Sequence, residues 1–149
     1  MMYVNGDLIK LANHGDFDII IHGCNCFCTM GGGIAKAIKE EFPSAYFEAD
    51  LKTQKGLRDK LGTYSLSVVN GLVIINAYTQ YTYWDKTDML DYSAVLSVFQ
   101  KIKLDFDSSD VIPRIGIPKI GAGLACGDWK RIEELIESCN FRNLICVVL

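Results

Sequence analysis

The chain has 149 residues, half of them hydrophobic and 22% charged, with a formal net charge of −3. That length suits a single domain spanning residues 1–149, able to bury about two-thirds of its unfolded surface. The composition excludes a disordered chain and the charge excludes a polybasic footprint, while the longest apolar runs fall far short of the ~20 residues of a membrane span.

The opening segment MMYVNGDLIK has no basic stretch followed by an apolar one, so no secretory signal is expected. Its residues Met2 to Val4 read as a short strand, closed by the turn-forming Asn5-Gly6-Asp7 and followed by a helix. Asp18 to His22 is continuous and β-branched, the pattern of a strand covered on both faces. After Gly31-Gly32-Gly33, the spacing of Ile34, Ile38 and Phe42 defines one face of a helix. Pro43 then marks a boundary, with a second helix expected over 45–54. Tyr64 to Val69 and Leu72 to Tyr78 flank Asn70-Gly71, a dipeptide suited to the positive φ angles of a hairpin turn.

From Asp91 onward, Tyr92, Val95, Phe99 and Ile102 mark a helix of about 14 residues. A strand near Arg114 to Pro118 follows, bounded by prolines. Trp129, Ile132, Leu135, Ile136 and Cys139 form a last amphipathic helix capped by Asp128, and Leu144 to Leu149 is an apolar strand. This order of elements predicts a three-layer α/β protein with a mixed sheet, whose ligands would bind outside the carboxyl ends of the parallel strands.

Two glycine-rich segments, NCFCTMGGGIA and PKIGAGLACGDW, each lie between a strand and a helix. Glycine there exposes backbone N–H groups, and the helix terminus adds partial positive charge, so phosphate is the natural guest. The alternative is that the glycines serve tight turns and close packing. Neither segment carries a Walker lysine or the dinucleotide fingerprint. The expected guest is therefore a phosphorylated small molecule.

The segments NGDL, IHGCNCFCTMGGGIA, INAYTQ and IPKIGAGLACGDW, in this order and spacing, resemble a macrodomain, most closely the branch of ADP-ribose 1″-phosphate phosphatases. The resemblance implies a three-layer α/β/α fold with a mixed, mostly parallel central sheet. It implies that Asp7 and Leu8 border the adenine and that Asn25 contacts the distal ribose. Gly31, Gly32, Gly33 and Ile34 would line the diphosphate from one side, and Gly121, Ala122, Gly123, Leu124 and Ala125 from the other. The lesser alternative for Asp7 is a cap on the helix it precedes, and for Asn25 a loop-stabilising hydrogen bond. The last strand offers no aromatic ring to the adenine, only Val147 or Val148.

His22 is one of two histidines, and its imidazole suits acid–base or nucleophilic work at the 1″ position or, alternatively, a hydrogen-bonded place at a strand end. His14, in a polar turn, is the lesser candidate. Asp128 has two readings, a helix cap and a water-positioning carboxylate. Gln80 stands where lysine-using hydrolase branches carry lysine, with Lys86 a distant substitute. The CxCxC run invites a zinc site or a Cys24 nucleophile, but packing suits Cys24 and Cys26 best. The six cysteines are expected as reduced thiols in the cytoplasm.

The resemblance implies a metal-free, cofactor-free hydrolase acting on an ADP-ribose derivative, with His22, Asn25 and Asp128 as catalytic candidates. Dephosphorylation of ADP-ribose 1″-phosphate is the leading reaction. A non-catalytic ADP-ribose reader and a hydrolase removing ADP-ribose from protein or nucleic acid are the alternatives. A monomer is expected, with no membrane partner and nucleic acid engaged only in ADP-ribosylated form.

Overall fold

A computed structural model describes all residues, 1–149. Its strands are β1 (Met2–Asn5), β2 (Ile19–Cys24), β3 (Tyr64–Val69), β4 (Leu72–Tyr78), β5 (Ile115–Ile117) and β6 (Leu144–Val148). The helices are α1 (Leu8–Asn13), α2 (Gly33–Glu41), α3 (Tyr92–Phe106) and α4 (Trp129–Glu137). The expected helix over 45–54 is instead a π-turn, Ala45–Ala49, running into a 3₁₀ turn, Asp50–Lys52.

One sheet carries all six strands in the order β1-β6-β5-β2-β4-β3. Only the edge strand β3 runs antiparallel, joined to β4 by Asn70 and Gly71 at φ 51° and 82°. Both angles are the positive values that this two-residue turn requires. The mixed, mostly parallel sheet is the one expected.

Alternation along β2 sorts its side chains between two cores. Ile19 and Ile21 face α3 and α4, packing with Phe99, Ile102, Ile132 and Ile136. Ile20 and Cys24 face α1 and α2, packing with Leu8, Ala12 and Ile38. The result is three layers, helix–sheet–helix. The one residue of β5 without a side chain is Gly116, because the ring of Phe17 would lie 2.7 Å from a Cβ there.

Because β5, β2 and β4 are adjacent and parallel, their carboxyl ends emerge side by side at one end of the sheet. The loops leaving those three ends are the two glycine-rich segments and the aromatic run after Tyr78. The topology therefore delivers both glycine-rich loops and the aromatic run to one place.

Candidate functional site

A cleft of about 730 Å³ opens over these strand ends, lined by residues 23–25, 29–35, 118–121 and 123–125 together with Gln80, Tyr83 and Met89. Of the residues expected to bind a ligand, Asn25, Gly31, Gly32, Gly33, Ile34, Gly121, Gly123, Leu124 and Ala125 line it. The glycines are required by contact between the walls. Leu124 Cδ1 lies 3.1 Å from where a Gly32 Cβ would stand and 3.4 Å from that of Gly33. Gly33 and Gly121 also hold positive φ, 57° and 76°.

The backbone N–H groups of Gly31, Gly32, Gly121, Gly123, Leu124 and Ala125 donate to no backbone acceptor. Helix α2, capped by Gly32 with no side-chain hydrogen bond, leaves its amino end open. These free donors and the helix terminus make the cleft a receptor for anionic oxygen. Asn25 sits among them with its amide half committed. Its Oδ1 accepts from the Phe27 N–H at 2.7 Å and its Nδ2 donates to Thr29 Oγ1 at 2.7 Å, which leaves one lone pair and one hydrogen.

Besides His22, six residues with expected site roles lie outside the wall. Asp7 caps α1, its Oδ1 accepting from the Lys10 N–H at 3.0 Å, and Leu8 is buried in the core. Ala122 turns away, donating its N–H to the Lys119 carbonyl. Asp128 caps α4 by accepting from the Lys130 N–H at 3.1 Å, and its own N–H donates to the Tyr92 hydroxyl. Val147 and Val148, expected near the adenine, belong to the core or pack against it.

His22, the leading catalytic candidate, is wholly buried and does not line the cleft. The strand register sets it opposite Asn76. Asn76 Nδ2 donates to the Ala45 carbonyl at 2.9 Å and Ser65 Oγ at 3.1 Å, so its Oδ1 must accept. His22 Nε2, 2.6 Å away, therefore carries the proton. Cys24 Sγ lies 3.8 Å from Nδ1 and 3.7 Å from Nε2, and Cys24 itself lines the cleft. Burial pushes the His22 pKa down to about 4, against the opposing pull of the Asn76 bond. Its neutral ring organises the layer beneath the cleft. His14 is exposed and pairs with Asp16 at 2.9 Å, away from the site.

The three clustered cysteines diverge where β2 ends. Cys24 faces His22, Cys26 reaches the Gln80 carbonyl, and Cys28 contacts Asp50 and Thr53. No three His, Cys, Asp or Glu side chains converge on a point that would hold a metal. Burial, reinforced by Asp50, drives the Cys24 thiol well above its usual pKa, so it rests as a neutral thiol.

Sequence reasoning left out several wall residues: Thr29, Met30, Met89, Pro118, Ile120 and Lys119. Gln80 and Tyr83 also line the wall, whereas Lys86 does not. The aromatic run divides between core and rim. Tyr78 is buried, while Tyr83 and Trp84 stand exposed beside Phe27 and Tyr81 in edge-to-face contacts. No wall residue is His, Asp or Glu.

The fold and cleft define an α/β protein with unpaired backbone amides gathered in a cleft at parallel strand ends. The chain belongs to the Macro domain family, whose model matches residues 21–136. It is 31% identical over 150 residues to an uncharacterized 17.5 kDa protein in the tk-vs intergenic region of Enterobacteria phage T4, covering 98% of this chain and 94% of the phage protein. It is 26% identical to an ADP-ribose 1″-phosphate phosphatase of Candida albicans, covering 97% and 95% of the two chains. The structure superposes on Thermosipho africanus DarTG, solved in complex with ADP-ribose, with a TM-score of 0.74 at 16% identity. That match covers 100% of this chain and 42% of the other. No helix is long and apolar enough to cross a membrane.

Proposed function

We propose that this protein binds ADP-ribose derivatives in the cleft and hydrolyses ADP-ribose 1″-phosphate to ADP-ribose and phosphate. The observation that carries the reading is the pair of glycine walls with their unpaired N–H groups, which suit a diphosphate. The Candida albicans relative, named for this phosphatase activity, supports the finer choice of substrate. Phosphoryl transfer to water depends chiefly on positioning and on stabilising charge over the phosphoryl oxygens. Free amides of the walls and the remaining capacity of Asn25 supply both. Water attacks phosphorus, the bond to O1″ breaks, and solvent returns the proton to that oxygen. His22 and Asp128 take no direct part. Six free thiols suit a reducing, cytoplasmic setting, and the protein acts as a monomer.

A second reading, a reader that binds ADP-ribose without chemistry, is favoured by the lack of any His, Asp or Glu in the wall. Calorimetry with ADP-ribose and phosphate release from ADP-ribose 1″-phosphate separate the two. Saturable heat with phosphate release supports the hydrolase; heat without release supports the reader. No heat at millimolar ligand rejects both. Gly32→Glu sets a carboxylate against Leu124 and the anion site, and should abolish binding while the chain still folds.

A further inference from the structure

Lys119 is the one formally charged side chain in the wall of the cleft. It stands two residues beyond the end of β5, directly before the second glycine loop. It makes no ion pair: every salt bridge of the molecule uses other groups. It donates no side-chain hydrogen bond either, although Lys60, Lys103 and the arginines at 58, 114 and 142 all do. The side chain is exposed, and the wall around it carries no carboxylate to neutralise it. A lone ammonium held at a rim of open backbone amides adds its charge to theirs, and charge of one sign focused in a cleft draws in an opposite charge.

We infer that Lys119 is a specificity-determining residue of the cleft, pairing with a phosphate of the bound nucleotide. The inference rests on the proposed ADP-ribose reading. The backbone amides fix where phosphate oxygens lie but bring only partial charge, and they treat a phosphate and a neutral polar group more evenly. Lys119 adds a whole charge and therefore preference for the anion. Its long, flexible stem needs no rigid position, which suits a point charge more than a fork-shaped recognition group. The group recognised is a phosphate ester of a nucleotide. Neutral nucleosides should gain nothing from it.

Calorimetry with ADP-ribose and with adenosine, each at about 20 and 500 mM sodium chloride, tests this on the wild type and on Lys119→Met, Lys119→Arg and Lys119→Glu. An exposed pairing of this kind predicts that Lys119→Met weakens ADP-ribose binding roughly three- to tenfold at low salt. The gap should close at high salt, Lys119→Arg should retain affinity, and Lys119→Glu should lose more than Lys119→Met. Adenosine should respond to none of the three. Equal ADP-ribose affinity of wild type and Lys119→Met at low salt overturns the inference and leaves the ADP-ribose reading intact. Loss of adenosine affinity in parallel also overturns it, by marking a change in the shape of the wall. A wild type that gives no heat with ADP-ribose removes the underlying reading itself, and the inference with it.

Discussion

His22 shows how residue type and environment can point in opposite directions. As one of two histidines, beside a glycine loop, it has the chemistry expected of a catalyst. Its environment denies it that work: the ring is dry, neutral and committed to Asn76. What the ring does instead is satisfy a buried amide that also holds Ala45 and Ser65. His22→Leu keeps the volume but leaves Asn76 Oδ1 without a donor, which should cost about 1–3 kcal/mol in urea unfolding. His22→Gln, whose amide can donate to the same oxygen, should cost less. Neither substitution should change ADP-ribose affinity in calorimetry. The partner that settles this, 54 residues away, is set by strand register. A linear pattern shows that β2 and β4 exist but not which residue of one faces which residue of the other.

Elements whose hydrogen bonds are local were the most legible. The hairpin at Asn70-Gly71, the helix from Tyr92 and the cap at Asp128 all follow from neighbours within four positions. The turns over residues 45–52 escaped, because a helical spacing does not distinguish an α-helix from a wider π-turn running into a tighter 3₁₀ turn. The glycine loops were legible as segments lying between a strand and a helix, while the reason for particular glycines was not. Gly127 is the clearest case. Its N–H closes the second loop on the Gly121 carbonyl at 2.7 Å. A Cβ at 127 would lie 2.6 Å from that same oxygen and 2.3 Å from Leu90 Cδ2. Backbone cannot step aside as a flexible side chain does, so Gly127→Ala should spread the loop. ADP-ribose affinity should fall by about tenfold or more, and the unfolding midpoint should fall with it. A loop of equal affinity in Gly127→Ala would mean that this closure does not shape the cleft.

Acidity acts on the molecule as a sum of buried groups with opposed signs. His22 is neutral in the native state down to a pKa of about 4, whereas the unfolded chain takes up a proton near 6.5. Between those values the unfolded state binds more protons, so stability drops as pH falls from 6.5 to 4, by roughly 3 kcal/mol for this group. Asp107 continues the loss at lower pH. Burial works against its charge, but bonds from the Arg142 backbone and side chain and from Lys103 prevail and hold its pKa down. Asp50 works the other way: burial, opposed by the Tyr78 hydroxyl and Lys60, raises its pKa, and its Oδ2 has no partner. Its charged form therefore weighs against the fold at neutral pH, a penalty that disappears on acidification. Asp50→Asn should raise the urea midpoint at pH 7 and make the decline toward pH 4 steeper than in the wild type. A midpoint unchanged at pH 7 would show that Lys60 compensates Asp50 fully.

The distribution of sulfur across this architecture has a practical consequence. Cys24, Cys26, Cys28, Cys139 and Cys146 are enclosed, and Cys126 alone is exposed. It sits at the tip of the second glycine loop, one residue beyond the cleft wall, with φ 61°. A maleimide dye applied to the folded protein is thereby directed to one position without any engineered mutation. Fluorescence from that dye would report the entry of nucleotide as it happens, with the fold itself protecting the other thiols from label.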